Sequence, residues 1–133
     1  MAPGRQILVL APLDQRHLCI PLRSQGFLVS FSEEIPPLKS LSDSESPDVL
    51  ILYLSLLPQE EQSPFIDYCL VSKIPVIGIV PEEKALSLDP NLKVVDFLFS
   101  PFQEKELQTR VHRAMWNTSS EERGNLITRG ELS

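Results

Sequence analysis

The sequence predicts an α/β domain in which a five-stranded parallel sheet is doubly wound by helices on both faces. Three observations lead there. Five short apolar runs recur along the chain at intervals of roughly 20 residues, with helix-like stretches between them. The third run, Val49-Leu50-Ile51-Leu52 leading into Tyr53, is unbroken, rich in β-formers and far too short to cross a membrane, so it reads as a strand buried on both faces. The last helix-like stretch carries the strongest helical periodicity of the chain, which supplies a packing partner for the sheet.

Taken in order, Ile7 to Leu10 forms the first strand, which Pro12 stops, and Asp14 is placed to cap the helix that follows to about Gln25. Pro21 falls inside that helix and is expected to kink or shorten it, and Gly26 ends it. Phe27 to Phe31 is the second strand. The polar stretch Ser32 to Ser46 holds one short helix, opened by Pro36 or Pro37 and running through Leu38 and Leu41. After the central strand, Gln59 to Ser63 reads as a polar loop and Pro64 to Ser72 as a helix with Phe65, Cys69 and Leu70 on one side. Lys73 to Val80 is the fourth strand, ended by Pro81. The segment Pro81 to Leu92 makes at best a short, weakly specified helix. Val94 to Phe99 is the fifth strand, and a helix from about Gln103 to Trp116 places Leu107, Val111, Ala114 and Met115 on one face.

Composition narrows the function. At 133 residues the chain has the length of one domain with a core of its own. A net charge of −6 argues against this segment gripping nucleic acid, because such binding rests on Lys and Arg neutralising phosphates. The densest basic cluster, Arg110, His112 and Arg113, reads as a solvated helix face. Cys19 and Cys69 lie among apolar residues without metal or redox spacing and are expected as buried free thiols, which suits a reducing cytoplasm. The opening residues are too poor in charge and apolar length for a signal peptide, and no run approaches a membrane span.

In parallel sheets of this kind ligands bind beyond the carboxyl ends of the strands, which directs attention to Ala11, Pro12, Tyr53, Val80 and Ser100. Three stretches, Pro47 to Leu54, Ile74 to Ile77 and Asp96 to Phe102, resemble signature stretches of response-regulator receiver domains, and the spacing agrees across Ile7 to Trp116. The resemblance implies a flavodoxin-like (CheY-like) sheet with strand order 2-1-3-4-5. It also implies a phosphorylation site made of an acidic pair after the first strand, a phosphoacceptor aspartate after the third, a hydroxyl after the fourth and a lysine after the fifth. Here those positions hold Ala11 and Pro12, Tyr53, Val80 and Ser100, so the site reads as degenerate. Mg²⁺ requires carboxylate and water oxygens, and Ala and Pro side chains offer none; without metal or lysine a transferring phosphoryl group has no charge stabiliser. No metal and no cofactor are therefore expected, and no enzymatic activity. Asp14 is read as a helix cap before a substitute ligand, and Tyr53 as a ring filling the vacated pocket before a phosphotyrosine site.

Two readings compete at Ser100-Pro101. The resemblance implies a cis peptide bond, whereas Ser100, Pro101 and Gln103 also spell a trans capping box. In the OmpR-type branch, whose receivers carry a winged-helix DNA-binding domain, dimers use acid and base pairs. Asp96, Glu106 and Arg110 fall on matching positions, against the plain reading of exposed charges. Residues 1–116 are thus expected as the receiver-like domain and 117–123 as a linker. Residues 124–133, with Arg129-Gly130-Glu131-Leu132, are expected as the opening strand of a winged-helix domain. The functional expectation is a pseudo-receiver that needs no phosphorylation, forms a homodimer and couples a signal to a DNA-binding domain, so that DNA is reached only through a domain outside this chain. The alternative is a docking module for a histidine kinase or another regulator. A small phosphotransfer or nucleotide enzyme would want a glycine-rich turn, Cys or His after the first strand, and Ala11-Pro12-Leu13 supplies none of these.

Overall fold

The computed structural model describes residues 5–41, 46–89 and 91–124. Five strands, β1 (Gln6–Leu10), β2 (Leu28–Ser32), β3 (Val49–Tyr53), β4 (Val76–Pro81) and β5 (Asp96–Ser100), form one sheet in the order β2-β1-β3-β4-β5. All neighbours run parallel, with Ile7 beside Val49, Leu50 beside Val76 and Ile77 beside Asp96. This is the doubly wound arrangement expected from the sequence. β3 lies at the centre with every residue buried, which is why its sequence shows no polar alternation.

Alternation along the strands divides the core in two. Ile7, Val9, Val49, Ile51, Ile77 and Ile79 point to one face. There they meet the helices α1 (Cys19–Ser24) and α4 (Glu104–Gly124) through Leu22, Leu107, Val111 and Ala114. Leu10, Leu50, Leu52, Val76 and Val80 point to the other, against α2 (Leu38–Leu41) and α3 (Gln59–Val71). The periodic residues of the last helix, Leu107, Val111, Ala114 and Met115, are all buried.

Several local expectations need correction. Asp14 caps nothing: the chain enters a 3-10 helix, Leu13–Leu18, whose N-cap is Pro12 without a side-chain hydrogen bond, and Asp14 sits exposed in its first turn. The 3-10 run leads straight into α1, which begins only at Cys19 and is six residues long, so the helix around Pro21 is shortened as its sequence leads one to expect. Gly26 does end α1, at φ 95°, with its N–H on the Arg23 carbonyl and the Phe27 N–H on the Leu22 carbonyl, the paired bonds of a Schellman turn. The stretch read as a loop, Gln59 to Ser63, belongs to α3. Its first turn carries Glu60 and Glu61, which favour a helix N-terminus, and Gln62 Nε2 donates to the carbonyls of Leu54 at 3.0 Å and Leu57 at 3.2 Å. Ile66, not Leu70, completes the buried face with Phe65 and Cys69.

Between β4 and β5 the chain makes only a 3-10 run, Glu82–Ser87. The sheet compensates there from within: Gly78 lies beside Phe97, and a Cβ on Gly78 would stand 3.4 Å from that ring. Phe97 in turn stacks on Phe99 at 6.4 Å between centroids. α4 runs on through residues 117–123, so the stretch expected as a linker is helical backbone. Of the expected winged-helix strand, 124–133, only Gly124 falls within the described residues, as the last residue of α4.

Candidate functional site

The five expected positions all lie at the carboxyl end of the sheet, where each strand gives way to a turn. They do not converge. Ala11 and Tyr53 belong to the face covered by α1 and α4, whereas Val80 turns to the opposite face beside Leu54 and Leu92. Ser100 pairs with Pro81 at the sheet's edge, and the Ser100–Pro101 peptide bond is cis. Gln103, rather than Ser100, stands at the N-terminus of α4.

Tyr53 occupies the end of the central strand and is 7% exposed. Its hydroxyl donates to Gln15 Oε1 at 2.8 Å, so the one polar atom of a buried ring is satisfied by the first turn after β1. Burial, reinforced by the negative charge of Asp14, pushes the phenol up from its ordinary value of 10 to about 12, which keeps it neutral. Gln15 is the functional residue that sequence reasoning missed. The signal available was indirect: a buried tyrosine needs a partner, and a parallel order with β1 beside β3 sets the turn after β1 next to the end of β3.

The donor set does not fit the magnesium ion that a phosphorylatable receiver site holds. Ala11 is fully buried and presents a methyl group, Pro12 presents a ring, and the neutral phenol of Tyr53 is already engaged. Among the described residues no three His, Cys, Asp or Glu side chains are grouped so as to hold a metal ion. The thiols lie away from this end: Cys19 is buried in the α1 layer and Cys69 in the α3 layer, where burial raises the latter to about 12.

At the opposite end of β5, Asp96 accepts from Arg110 Nη1 at 2.8 Å through Oδ1, and its Oδ2 lies 3.5 Å from Arg113 Nη1. Oδ1 also accepts the Phe97 N–H. Glu106 Oε1 accepts the Gln103 N–H at 3.0 Å, which is half of a capping box. Asp96, Glu106 and Arg110 therefore all have partners within the chain. The two arginines bring the middle of α4 over the first residue of β5, and the helix continues from there to Gly124. A cleft of about 340 Å³ opens elsewhere, beside β2, between Leu8, Leu28, Ser30, Pro36 and Leu41. No helix among the described residues is long and apolar enough to cross a membrane.

The chain matches no family model and no curated protein sequence. Solved structures do match. NtrX from Brucella abortus, in complex with ADP, superposes with a TM-score of 0.75 at 19% identity, over 92% of this chain and 28% of that one. The present chain thus spans little more than a quarter of that protein. The receiver domain of a Pseudomonas aeruginosa sensor histidine kinase, with a magnesium ion coordinated in its active-site cleft, gives 0.68 at 21% identity over 84% of this chain and 98% of that one. A response regulator receiver domain protein from Clostridium thermocellum gives 0.71 at 15% identity over 86% and 97%.

Proposed function

We propose that this chain, which has the fold of a response-regulator receiver domain, is a signalling module that works without aspartyl phosphorylation. The observation that carries the reading is Tyr53: the end of the central strand is filled by a neutral phenol closed off by Gln15, with Ala11 and Pro12 beside it. A phosphoryl group placed there would find no acidic pair at Ala11 and Pro12 to hold a metal and no lysine at Ser100, and phosphoryl transfer depends almost wholly on such charge stabilisation. The module is thus no enzyme. Incubation with acetyl phosphate and Mg²⁺, followed by intact-mass measurement, should show no adduct of about 80 Da. A stoichiometric adduct at that mass would overturn the reading.

In this reading the module is cytoplasmic and passes its signal along α4, the longest element, to a DNA-binding domain of the OmpR type that follows it, as a homodimer. α4 suits that task because it packs against β3, β4, β5 and α1 at once, so a change in the sheet moves the helix. Dimerisation through the face of β5 and α4 would use side chains that Asp96, Arg110 and Glu106 already position. Arg110→Glu should then weaken the dimer in sedimentation, and unchanged association would count against that face. The second reading, docking of a histidine kinase or another regulator without phosphotransfer, is favoured if the coding sequence stops after Ser133. A winged-helix pattern there favours the first.

A further inference from the structure

The two edges of the sheet are built differently. β5 begins with Asp96, which holds Arg110 and Arg113 beside it, and ends against Pro101; charges and prolines of this kind blunt an edge against further pairing. β2 has no such protection within its own residues, and Arg23 of α1 reaches its open edge. From Phe27 to Ser32 the sequence is Phe-Leu-Val-Ser-Phe-Ser, without a charge or a proline, and Leu28 is 56% exposed.

Which backbone groups are free follows from the ladder. The Leu28 N–H donates to Arg5 O, and Ser32 O accepts from Ala11 N–H, so residues 28, 30 and 32 turn their polar groups towards β1. Val29 and Phe31 turn theirs outward. The position of Arg23 agrees: its Nη2 donates to Val29 O at 2.9 Å on that open edge. Charge is also divided along the strand. Arg23 lies over its first half, and exposed Glu33 and Glu34 follow its last residue, where neither forms an ion pair among the described residues.

We propose that a second copy of this chain pairs antiparallel along β2, about a two-fold axis at Ser30, so that one sheet runs through the dimer. In that register Val29 faces Phe31 of the other copy and exchanges both backbone bonds with it, while Ser30 faces its own counterpart. An antiparallel strand places the end of one copy beside the beginning of the other. Arg23 then leaves Val29 O for the Glu33 and Glu34 carboxylates of the second copy, twice by symmetry, which is the self-complementarity that a two-fold interface requires. The interface lies on the edge opposite β5 and is independent of the chemistry at Tyr53.

The test is sedimentation velocity of the full chain carrying Arg110→Glu, which removes the proposed β5–α4 contact so that the remaining association reports the β2 edge alone, across a concentration series at low and high salt, with circular dichroism as the check on folding. The expected result is a monomer–dimer equilibrium that salt weakens. Glu33→Arg with Glu34→Arg should weaken it about tenfold, since each new arginine meets Arg23, and adding Arg23→Glu should restore it. Val29→Pro should abolish it while leaving the monomer folded, because the N–H it removes points away from β1. A chain that stays monomeric at every concentration overturns the proposal. So does a dimer that Val29→Pro leaves intact, or one whose charge-reversed form is not rescued by Arg23→Glu.

Discussion

Tyr53 shows how one side chain sets the chemistry of this domain. Its ring fills the end of β3 and its hydroxyl holds Gln15, so Tyr53→Phe leaves the amide of Gln15 without its partner and should cost about 1 kcal/mol near neutral pH. The cost depends on pH. Because the folded phenol sits at about 12 against an ordinary 10, the contribution is complete below pH 10 and fades as pH rises towards 12, where the unfolded chain ionises first. Urea unfolding at about pH 8 and about pH 11 should therefore find the gap between wild type and Tyr53→Phe smaller at the higher pH. The Cys69 thiol, also held near 12 by burial, destabilises both proteins alike over the same range and cancels in the comparison. A second single-residue effect lies at the end of α3, where Lys73 takes φ 63° in the position that Gly26 fills after α1. Left-handed backbone burdens a residue with a Cβ, so Lys73→Gly should raise stability by about 0.5 to 1 kcal/mol, and Gly26→Ala should lower it by a similar amount. Thermal unfolding of the pair reads both signs.

Among the elements, α4 and the β4–β5 connection differ most in how they are specified. α4 is pinned by a stripe at i, i+4, i+7 and i+8, so its face was legible in the sequence from spacing alone. Leu107 and Val111 are fully buried, and Leu107→Ala should cost about 2 to 5 kcal/mol in equilibrium unfolding, with Val111→Ala less because fewer atoms are removed. The connection from Pro81 to Leu92 has two prolines and no stripe, and it folds as a 3-10 run whose Leu86 stays exposed. Phe97 over Gly78 does there what a helix would do elsewhere, a contact between neighbouring strands that spacing does not reveal. α3 shows the opposite failure. The polar start from Gln59 suggested a loop with the helix opening at Pro64, whereas the helix already runs from Gln59 and Gln62 ties it to the carbonyls of Leu54 and Leu57, which lie on a separate turn.

For the molecule as a whole, the charged surface beside β5 is the part whose role a variant can separate from folding. The Asp96–Arg110 pair is closed within the chain and partly exposed, so Arg110→Ala should cost about 1 kcal/mol or less of monomer stability. Sedimentation of the same variant separates that local role from one in dimerisation. What the sequence determined by itself is the architecture: five apolar runs, their β-formers, Pro12 after β1 and Pro81 as the last residue of β4 specify strands and stops through local backbone preference and period. It also determined the absence of acidic and basic groups at Ala11, Pro12, Val80 and Ser100, which is a matter of residue identity. Only the tertiary structure decided that Val80 parts from Tyr53 across the sheet, that Gln15 closes the phenol and that Asp96 is taken by Arg110 and Arg113. Those contacts join residues far apart in the chain, and pairing across such distances is set by the packing of the layers, which no local pattern encodes.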